Sequence, residues 1–442
     1  MSRSVRPESA TWTATAEKVR RRTARVAVVG LGYVGLAAAR ALCDTSFHVA
    51  GIESDAARLR SLRAGGLQPE LRQALAARRL TLSGSYAALA RCDVALICVQ
   101  TPLTRLRTPD LSFVHSAARR VAEHLHKGQL VVLESTTYPG TTEEEVLPIL
   151  TEGGLACGRD FFLAYCPERV DPGNPVFDVA NIPRVVGGDD AASARLAALF
   201  YEQFVPSVSV VSSARAAEAA KLLENIYRCV NIAMVNELKM LFDRMKIDVW
   251  EVIEAAATKP FGFQPFRPGP GLGGHCVPVD PFYLAWKARE YGMRTRFIEL
   301  AGEVNTEMPE FVFAHIAAAL NERRKSLRGA RVLILGVAYK PGVSDTRETP
   351  AAPILAALHA EGARVSYNDP YVPSYDVPGT PALRLKSKAL TPRLLARQDC
   401  VVIVTDHPGY DYEFIVRHAP LVVDTRNATR NVRGHRDRIV KA

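Results

Sequence analysis

Residues 25–35 read Arg-Val-Ala-Val-Val-Gly-Leu-Gly-Tyr-Val-Gly, and few strings restrict a fold more tightly. A β-branched apolar run enters Gly30, Gly32 and Gly35 without a polar break, and the helix formers Leu-Ala-Ala-Ala-Arg-Ala-Leu follow at once. That order predicts strand, tight turn, helix. In such a turn the first glycine makes the bend and the second lets backbone N–H groups reach a pyrophosphate. The third lets the helix pack on the strand. A second apolar run, residues 47–52, ends in Glu53, an acid placed to bind ribose hydroxyls. Its charge repels a 2′-phosphate, which favours NAD over NADP.

The same plan recurs late in the chain. Arg25-Val-Ala-Val-Val-Gly30 is echoed by Arg331-Val-Leu-Ile-Leu-Gly336, and Arg91-Cys-Asp93-Val-Ala-Leu-Ile by Arg397-Gln-Asp399-Cys-Val-Val-Ile. The step from first arginine to aspartate is 93 − 25 = 68 in one copy and 399 − 331 = 68 in the other. Continuous apolar strands alternating with helical stretches imply parallel sheets covered on both faces. The predicted fold class is therefore α/β, with two doubly wound Rossmann-like domains. The second copy lacks the glycine triplet (Gly336-Val-Ala-Tyr-Lys340), so it should hold a different ligand.

Residues 214–245 contain neither Gly nor Pro and predict a long central helix joining the two domains. Its apolar residues, Leu222, Ile226, Cys229, Val230, Ala233, Val235, Leu238 and Leu241, cover more than one stripe. One neighbouring sheet edge cannot cover them all, so the helix is expected to pack against its own copy, with Val235 in that contact. Lys221 and Asn225 stand four apart, hence on one face. Together they could stabilise an oxyanion; alone, such a lysine is more often a solvated charge. The divisions read from sequence are a disordered basic arm, 1–24, an NAD-binding Rossmann domain, 25–212, a central helical region for dimerisation and catalysis, 213–325, and a Rossmann-like domain for a different ligand, 326–442. Helix is expected through residues 250–257 and again over 282–325.

Between these helices lies Pro268-Gly-Pro-Gly-Leu-Gly-Gly-His-Cys276-Val-Pro-Val-Asp280-Pro. Glycines let backbone approach a ligand closely and prolines stiffen the segment, so Cys276 sits on a shaped loop. A core cysteine needs no such cradle. A cradled thiol beside an NAD domain suggests two reactions: aldehyde oxidation through a thioester, and alcohol oxidation with a lysine or acid taking the hydroxyl proton.

Composition narrows the rest. The net charge of +10 arises from 56 Lys and Arg against 46 Asp and Glu. Half of it, 7 − 2 = +5, lies in the first 25 residues. What remains suits an anionic small molecule, and no aromatic platform for nucleic-acid bases interrupts the basic residues. No apolar run reaches a membrane span. The eight cysteines are scattered without C-x-x-C, so neither a metal site nor a disulfide framework is expected, and the thiols read as reduced and cytoplasmic.

Gly30-Leu-Gly-Tyr-Val-Gly-Leu, Cys98-Val-Gln-Thr-Pro-Leu, Glu134-Ser-Thr-Thr, Pro167-Glu-Arg-Val-Asp-Pro-Gly-Asn, Lys221-Leu-Leu-Glu-Asn, the Cys276 loop and Lys340-Pro-Gly-Val-Ser-Asp-Thr-Arg-Glu occur in that order. Together they resemble the UDP-glucose/GDP-mannose dehydrogenase family over residues 25–426. The resemblance implies four-electron oxidation of the 6-hydroxymethyl group of a nucleotide-linked hexose, with two NAD per turnover. It implies that Cys276 forms a thiohemiacetal and then a thioester, that Lys221 and Asn225 hold the reacting oxygen, and that Asp280 poises the thiolate. Glu168 and Thr136 would serve hydrolysis. Gly30, Gly32, Tyr33, Val34, Gly35, Glu53, Arg58, Thr101, Thr136 and Arg347 would hold NAD. Glu168, Arg169, Val170, Lys221, Asn225, Phe266, Arg267, Gly273 and Lys340 would hold the sugar nucleotide. The implied assembly is a homodimer or a higher homo-oligomer built from dimers.

Two positions depart from the family pattern. Gln100 stands where proline is common, and Pro172 stands where glucose-oxidising members carry a second glutamate. The latter variant is similar to the branch acting on UDP-N-acetylhexosamines. UDP-glucose, dTDP-glucose and UDP-N-acetylglucosamine are the substrates expected, with UDP-N-acetylmannosamine or GDP-mannose as the alternative. Two rivals are weaker. A two-electron hydroxyacid dehydrogenase has no need of Cys276, and a non-catalytic NAD sensor has no need of Cys276, Lys221 and Asp280 together.

Overall fold

The computed structural model describes residues 9–104, 107–171, 174, 176–274 and 277–442. They pack into two compact units, one built from residues up to Glu224 together with Trp286–Met293, the other from Asn225–Ala285 and Arg294–Ala442. The central region read from sequence at 213–325 is divided between them.

The first unit is an eight-stranded sheet: β1 (Arg25–Val29), β2 (His48–Ile52), β3 (Leu80–Ser83), β4 (Val94–Ile97), β5 (Leu130–Leu133), β6 (Phe162–Tyr165), β7 (Arg184–Gly188) and β8 (Val208–Val211). Its order is β3-β2-β1-β4-β5-β6-β7-β8, parallel throughout except between β6 and β7. The order reverses beside β1, so the glycine turn lies at the crevice where doubly wound sheets bind ligands. The second unit carries β9 (Arg331–Leu335), β10 (Arg364–Asn368), a small antiparallel pair β11 (Ser374–Asp376) and β12 (Arg384–Lys386), then β13 (Cys400–Ile403), β14 (Val422–Asp424) and β15 (Ile439–Lys441). Its main sheet is all parallel in the order β10-β9-β13-β14-β15. The central strands of both sheets are apolar and buried, as sheets covered on both faces require.

The internal repeat is exact in register. Val26 pairs with Val94 across β1 and β4, and Val332 with Cys400 across β9 and β13, again 68 residues apart in each case (94 − 26 and 400 − 332). The expected long helix spans Ala214–Met245. It ends at Lys246, whose φ of 59° breaks it before a new helix at Val249–Ala256 capped by Asp248. The later helical stretch is likewise interrupted. Asp280–Ala288 stops near Gly292 (φ 67°), and Arg296–Glu322 follows with Pro309 inside it.

Two expectations need correction. The arm expected to be disordered contains a helix, α1 (Ala10–Arg20), capped by the Ser9 side chain. Trp12, Thr15, Ala16 and Val19 form its buried stripe at i, i+3, i+4 and i+7. Trp12 donates its indole N–H to the Ala192 carbonyl at 3.0 Å, Thr15 its hydroxyl to Gly128 O at 2.6 Å, and Lys18 pairs with Asp93 at 2.6 Å. The basic residues on the opposite face masked this short stripe in composition. Val235 is also misplaced: it is only 4% exposed and packs with Val249, Trp250 and Ile253.

Candidate active site

The dinucleotide turn is built as its glycines require. Gly30 has φ 92°, and a Cβ there would lie 2.7 Å from Cys98 O. A Cβ on Gly35 would lie 1.9 Å from Gly30 O, so only glycine lets α2 (Tyr33–Asp44) sit this close to the turn. Gly32 differs. A Cβ there would meet nothing within 4 Å, and Gly32 caps α2 without any side-chain bond. The first turn of α2, Tyr33 and Val34 included, thus faces open space with N–H donors and the positive end of the helix dipole. Beside it, Glu53 accepts the Leu31 N–H at 3.1 Å and the Asp55 N–H at 3.0 Å, and Arg58 donates to the Leu31 carbonyl at 3.1 and 3.3 Å. Uncapped donors, an open cradle and an acid on the rim fit the diphosphate and ribose of NAD.

Around this crevice the ends of β4 and β5 are tied together. Thr101 donates its hydroxyl to Thr136 O at 2.8 Å, and Ser135 to Val99 O at 2.6 Å. Beyond β6, Glu168 is buried. Its Oε1 accepts the N–H groups of Arg169 (2.7 Å) and Val170 (2.8 Å), and its Oε2 accepts Nη2 of Arg184 (2.7 Å). Arg169 reaches Glu224 at 2.8 Å. Burial first, then the Glu168 and Asp171 carboxylates, push the Tyr33 phenol up, which places the start of α2 beside the Glu168 segment. Lys221, 8% exposed, makes no ion pair among the described residues. It is buried, which removes the solvated-charge reading.

The second unit holds the remaining residues. Asn225 donates Nδ2 to Asp280 Oδ2 at 2.5 Å, and both are buried. Cys276 lies outside the described residues. The loop leading to it is fixed at several points: Gly269 N–H donates to Asn236 Oδ1 at 3.0 Å and Gly274 N–H to Arg347 O at 3.0 Å. A Cβ on Gly273 would stand 2.6 Å from Tyr339 Cβ, and Gly274 has φ 84°. Arg347 is exposed and pairs with Asp345 at 2.5 Å. Phe266 is half-buried with its ring edge-on to Tyr227 at 5.6 Å, Arg267 is exposed, and Lys340 is half-buried over the Tyr339 ring.

The sequence reading missed the residues that support Glu168. Arg184, 1% exposed, also donates Nη1 to Pro167 O at 2.9 Å. Glu134 accepts the Tyr201 hydroxyl at 2.5 Å and the Cys98 thiol at 3.4 Å. Burial, with Glu134 beside it, holds the Cys98 thiol well above its ordinary value, so it stays protonated and donates. Burial likewise pushes Glu134 up, against the opposing pull of Arg184. A signal was present: a charge directly abutting an apolar strand, Arg184 at the head of Val-Val-Gly-Gly and Glu134 after Leu-Val-Val-Leu.

Fold and crevice define a dinucleotide-dependent α/β oxidoreductase. Three models of the UDP-glucose/GDP-mannose dehydrogenase family match in succession, the NAD binding domain at residues 24–205, the central domain at 215–307 and the UDP binding domain at 333–431. The chain belongs to this family and is an NAD-dependent enzyme of the nucleotide-sugar dehydrogenase class. It is 37% identical to UDP-N-acetyl-D-glucosamine 6-dehydrogenase of Pseudomonas aeruginosa, over 80% of this chain and 84% of that one. It is 35% identical to UDP-N-acetyl-D-mannosamine dehydrogenase of Pyrococcus horikoshii, over 91% and 95%. A solved structure of the UDP-D-ManNAc dehydrogenase from Pyrococcus horikoshii superposes with TM-score 0.82 at 32% identity, covering 91% of this chain and 96% of that chain.

Proposed function

We propose that the chain oxidises carbon 6 of a UDP-linked N-acetylhexosamine to the carboxylate, with UDP-N-acetylglucosamine the first candidate. The observation that carries this choice is the 35–37% identity to enzymes named for UDP-N-acetylhexosamines over 80–91% of the chain. UDP- and dTDP-glucose, UDP-N-acetylmannosamine and GDP-mannose are the competing substrates. NAD, when bound, supplies the hydride acceptor for both oxidations.

The chain's own residues divide the remaining work. Lys221 and Asn225 hold the 6-oxygen and offset its developing negative charge, which the burial of both side chains supports. Asp280, hydrogen-bonded to Asn225, orients that amide and poises the Cys276 thiolate. Cys276 captures the aldehyde carbon, so the half-oxidised sugar stays attached until the thioester forms. Glu168 and Thr136 then direct water at the acyl carbon. Phe266, Arg267, Gly273 and Lys340 line the path of the nucleotide, and Arg169 and Val170 flank the sugar. Gly30, Gly32, Gly35, Glu53, Arg58 and Thr101, with Arg347, serve the cofactor.

The working unit we propose is a homodimer. Leu223, Tyr227, Met234, Leu241 and Met245 are all about half exposed or more along one helix, more apolar surface than a lone helix normally leaves to water. Met234→Glu should yield monomers in light scattering, whereas an unaltered oligomer would remove this helix from the interface.

The test of function is NADH yield from those five sugar nucleotides. UDP-N-acetylglucosamine should give two NADH per sugar and no free aldehyde, and Cys276→Ala should give no acid while still binding NAD. Turnover of UDP-glucose alone would reassign the substrate, and a fully active Cys276→Ala would remove the covalent route.

A further inference from the structure

A carboxylate offers about four lone-pair directions, and Glu168 uses three of them within its own fold. The Arg169 and Val170 N–H groups occupy both directions of Oε1, at 2.7 and 2.8 Å. Arg184 Nη2 occupies one of Oε2, at 2.7 Å. Among the described residues nothing else hydrogen-bonds to this side chain. One lone pair therefore remains, on the same oxygen that Arg184 holds.

Arg184 grips the segment twice, through the Glu168 side chain and the Pro167 carbonyl, so it sets both the backbone and the carboxylate rotation. The neighbouring acid feels Arg184 only through space: Glu134 takes its hydrogen bonds from Tyr201 and Cys98, both neutral donors. Among the described residues Glu168 is the one carboxylate that the guanidinium hydrogen-bonds. An ion pair this deeply buried is costly to build and not the cheapest way to fill a core. Apolar residues of similar volume would pack the same space at least as stably.

We propose that Arg184 is a positioning residue for thioester hydrolysis, aiming the last free lone pair of Glu168 Oε2 at the attacking water. The inference rests on the proposed function. In the step it serves, the water oxygen bonds to the acyl carbon and the carbon–sulfur bond breaks with its electron pair passing to Cys276. One water proton is taken at Glu168 Oε2, and the other stays on the new carboxyl group, which releases it to solvent. No electrons are transferred. A misdirected base or water costs roughly a hundredfold in rate, and the loss should fall on this step alone.

The experiment uses the full chain with NAD and UDP-N-acetylglucosamine, or whichever of the five sugar nucleotides is turned over, followed by rapid quench, NADH counting and intact-protein mass. Wild type should carry no adduct. Glu168→Gln should accumulate one acyl adduct per chain after a burst of two NADH. Arg184→Met and Arg184→Lys should keep the burst, accumulate the same adduct and hydrolyse it about a hundredfold more slowly, with lysine the milder. The double variant Glu168→Gln/Arg184→Met removes both charges together, which guards against an unpaired buried charge unfolding the single variants. It should hydrolyse no more slowly than Glu168→Gln alone.

Arg184 variants that lose burst and hydrolysis in parallel, or that hydrolyse at the wild-type rate, would overturn the inference. So would a double variant whose defects multiply. Wild-type hydrolysis in Glu168→Gln would overturn the reading of Glu168 and this inference with it. An adduct in Glu168→Gln but in neither Arg184 variant would overturn the inference alone.

Discussion

In β1 the N–H of Arg25 donates to Asp93 at 2.9 Å, and in β9 the N–H of Arg331 donates to Asp399 at 2.8 Å, each pair 68 residues apart. Each aspartate also takes a lysine from the preceding helix or the turn after it, Lys18 at 2.6 Å and Lys325 at 3.1 Å. After each strand comes a positive-φ glycine, Gly30 or Gly336, whose N–H donates at 2.9 Å to the neighbouring strand, to Ile52 or Asn368. Past that glycine the copies part. In the first, Glu53 stands at the rim and Gly32 leaves the helix end open. In the second, Asp369 is sealed inside. It accepts the N–H groups of Val337, Ala338, Tyr371 and Val372 at 2.8 to 3.1 Å and is paired with buried His407. Because His407 Nδ1 accepts the Gly342 N–H, its Nε2 carries the proton and donates to Asp369 at 3.0 Å. Tyr371 and Tyr410 stack around the imidazole. One strand-turn frame thus yields a dinucleotide cradle when the turn is glycine and the acid is long. With a short acid and aromatic filling it yields a closed structural knot.

The largest effect should come from opening that knot. Asp369→Asn removes the charged acceptor of this network and turns an amide NH2 toward donors. Each hydrogen bond to a charged group is worth about 1.5–3 kcal/mol, so the change should lower the melting temperature strongly while leaving NAD affinity unchanged. Burial pushes the Asp369 carboxyl up, but His407 and the backbone donors outweigh it, and the net direction is down from 3.8. A lowered native value means the unfolded chain binds the proton more readily. This stabilisation is therefore complete above about pH 4 and fades as pH falls through the lowered value. Asp369→Asn should flatten that acid limb in melts across pH 3–7; an unchanged limb would remove Asp369 as its source.

Next in size is Gly35→Ala, whose methyl would have to displace the Gly30 carbonyl. Overpacking against backbone costs about 1–3 kcal/mol or more, so both melting temperature and NAD affinity should fall. Glu53→Gln acts on selectivity, not on stability. Losing one charged acceptor costs about 1.5–3 kcal/mol, so the preference for NAD over NADP should shrink at least tenfold in kcat/KM. The smallest structural effect should be that of Gly32→Ala. With open space around the new methyl, stability should change by no more than about 0.5 kcal/mol, yet NAD should bind about tenfold more weakly. A large melting shift there would mean the space in front of α2 is not open.

Much of this contrast was legible from local strings. The glycine triplet, its absence from the second copy, the 68-residue step and the long Gly- and Pro-free helix are properties of neighbouring residues. What escaped depends on chain-distant convergence. Glu134, Glu168 and Arg184 lie 16 to 50 residues apart and meet only because β5, β6 and β7 are neighbours in the sheet, one of them reversed. Asp369 and His407 meet because β10 and β13, far apart in the chain, flank β9 on its two sides. The α1 stripe is only four residues, too short to stand out among basic neighbours. Val235 was assigned to the wrong face because a wide stripe does not say which side another helix covers, and here Trp250 and Ile253 of the next helix cover it.

Calorimetric titration of NAD into the full chain tests the division between the two copies most directly. One NAD per chain is expected, with binding weakened about tenfold in Gly32→Ala, at least tenfold in Glu53→Gln and unchanged in Asp369→Asn. Two NAD per chain, or a single site abolished by Asp369→Asn and untouched by Glu53→Gln, would contradict it.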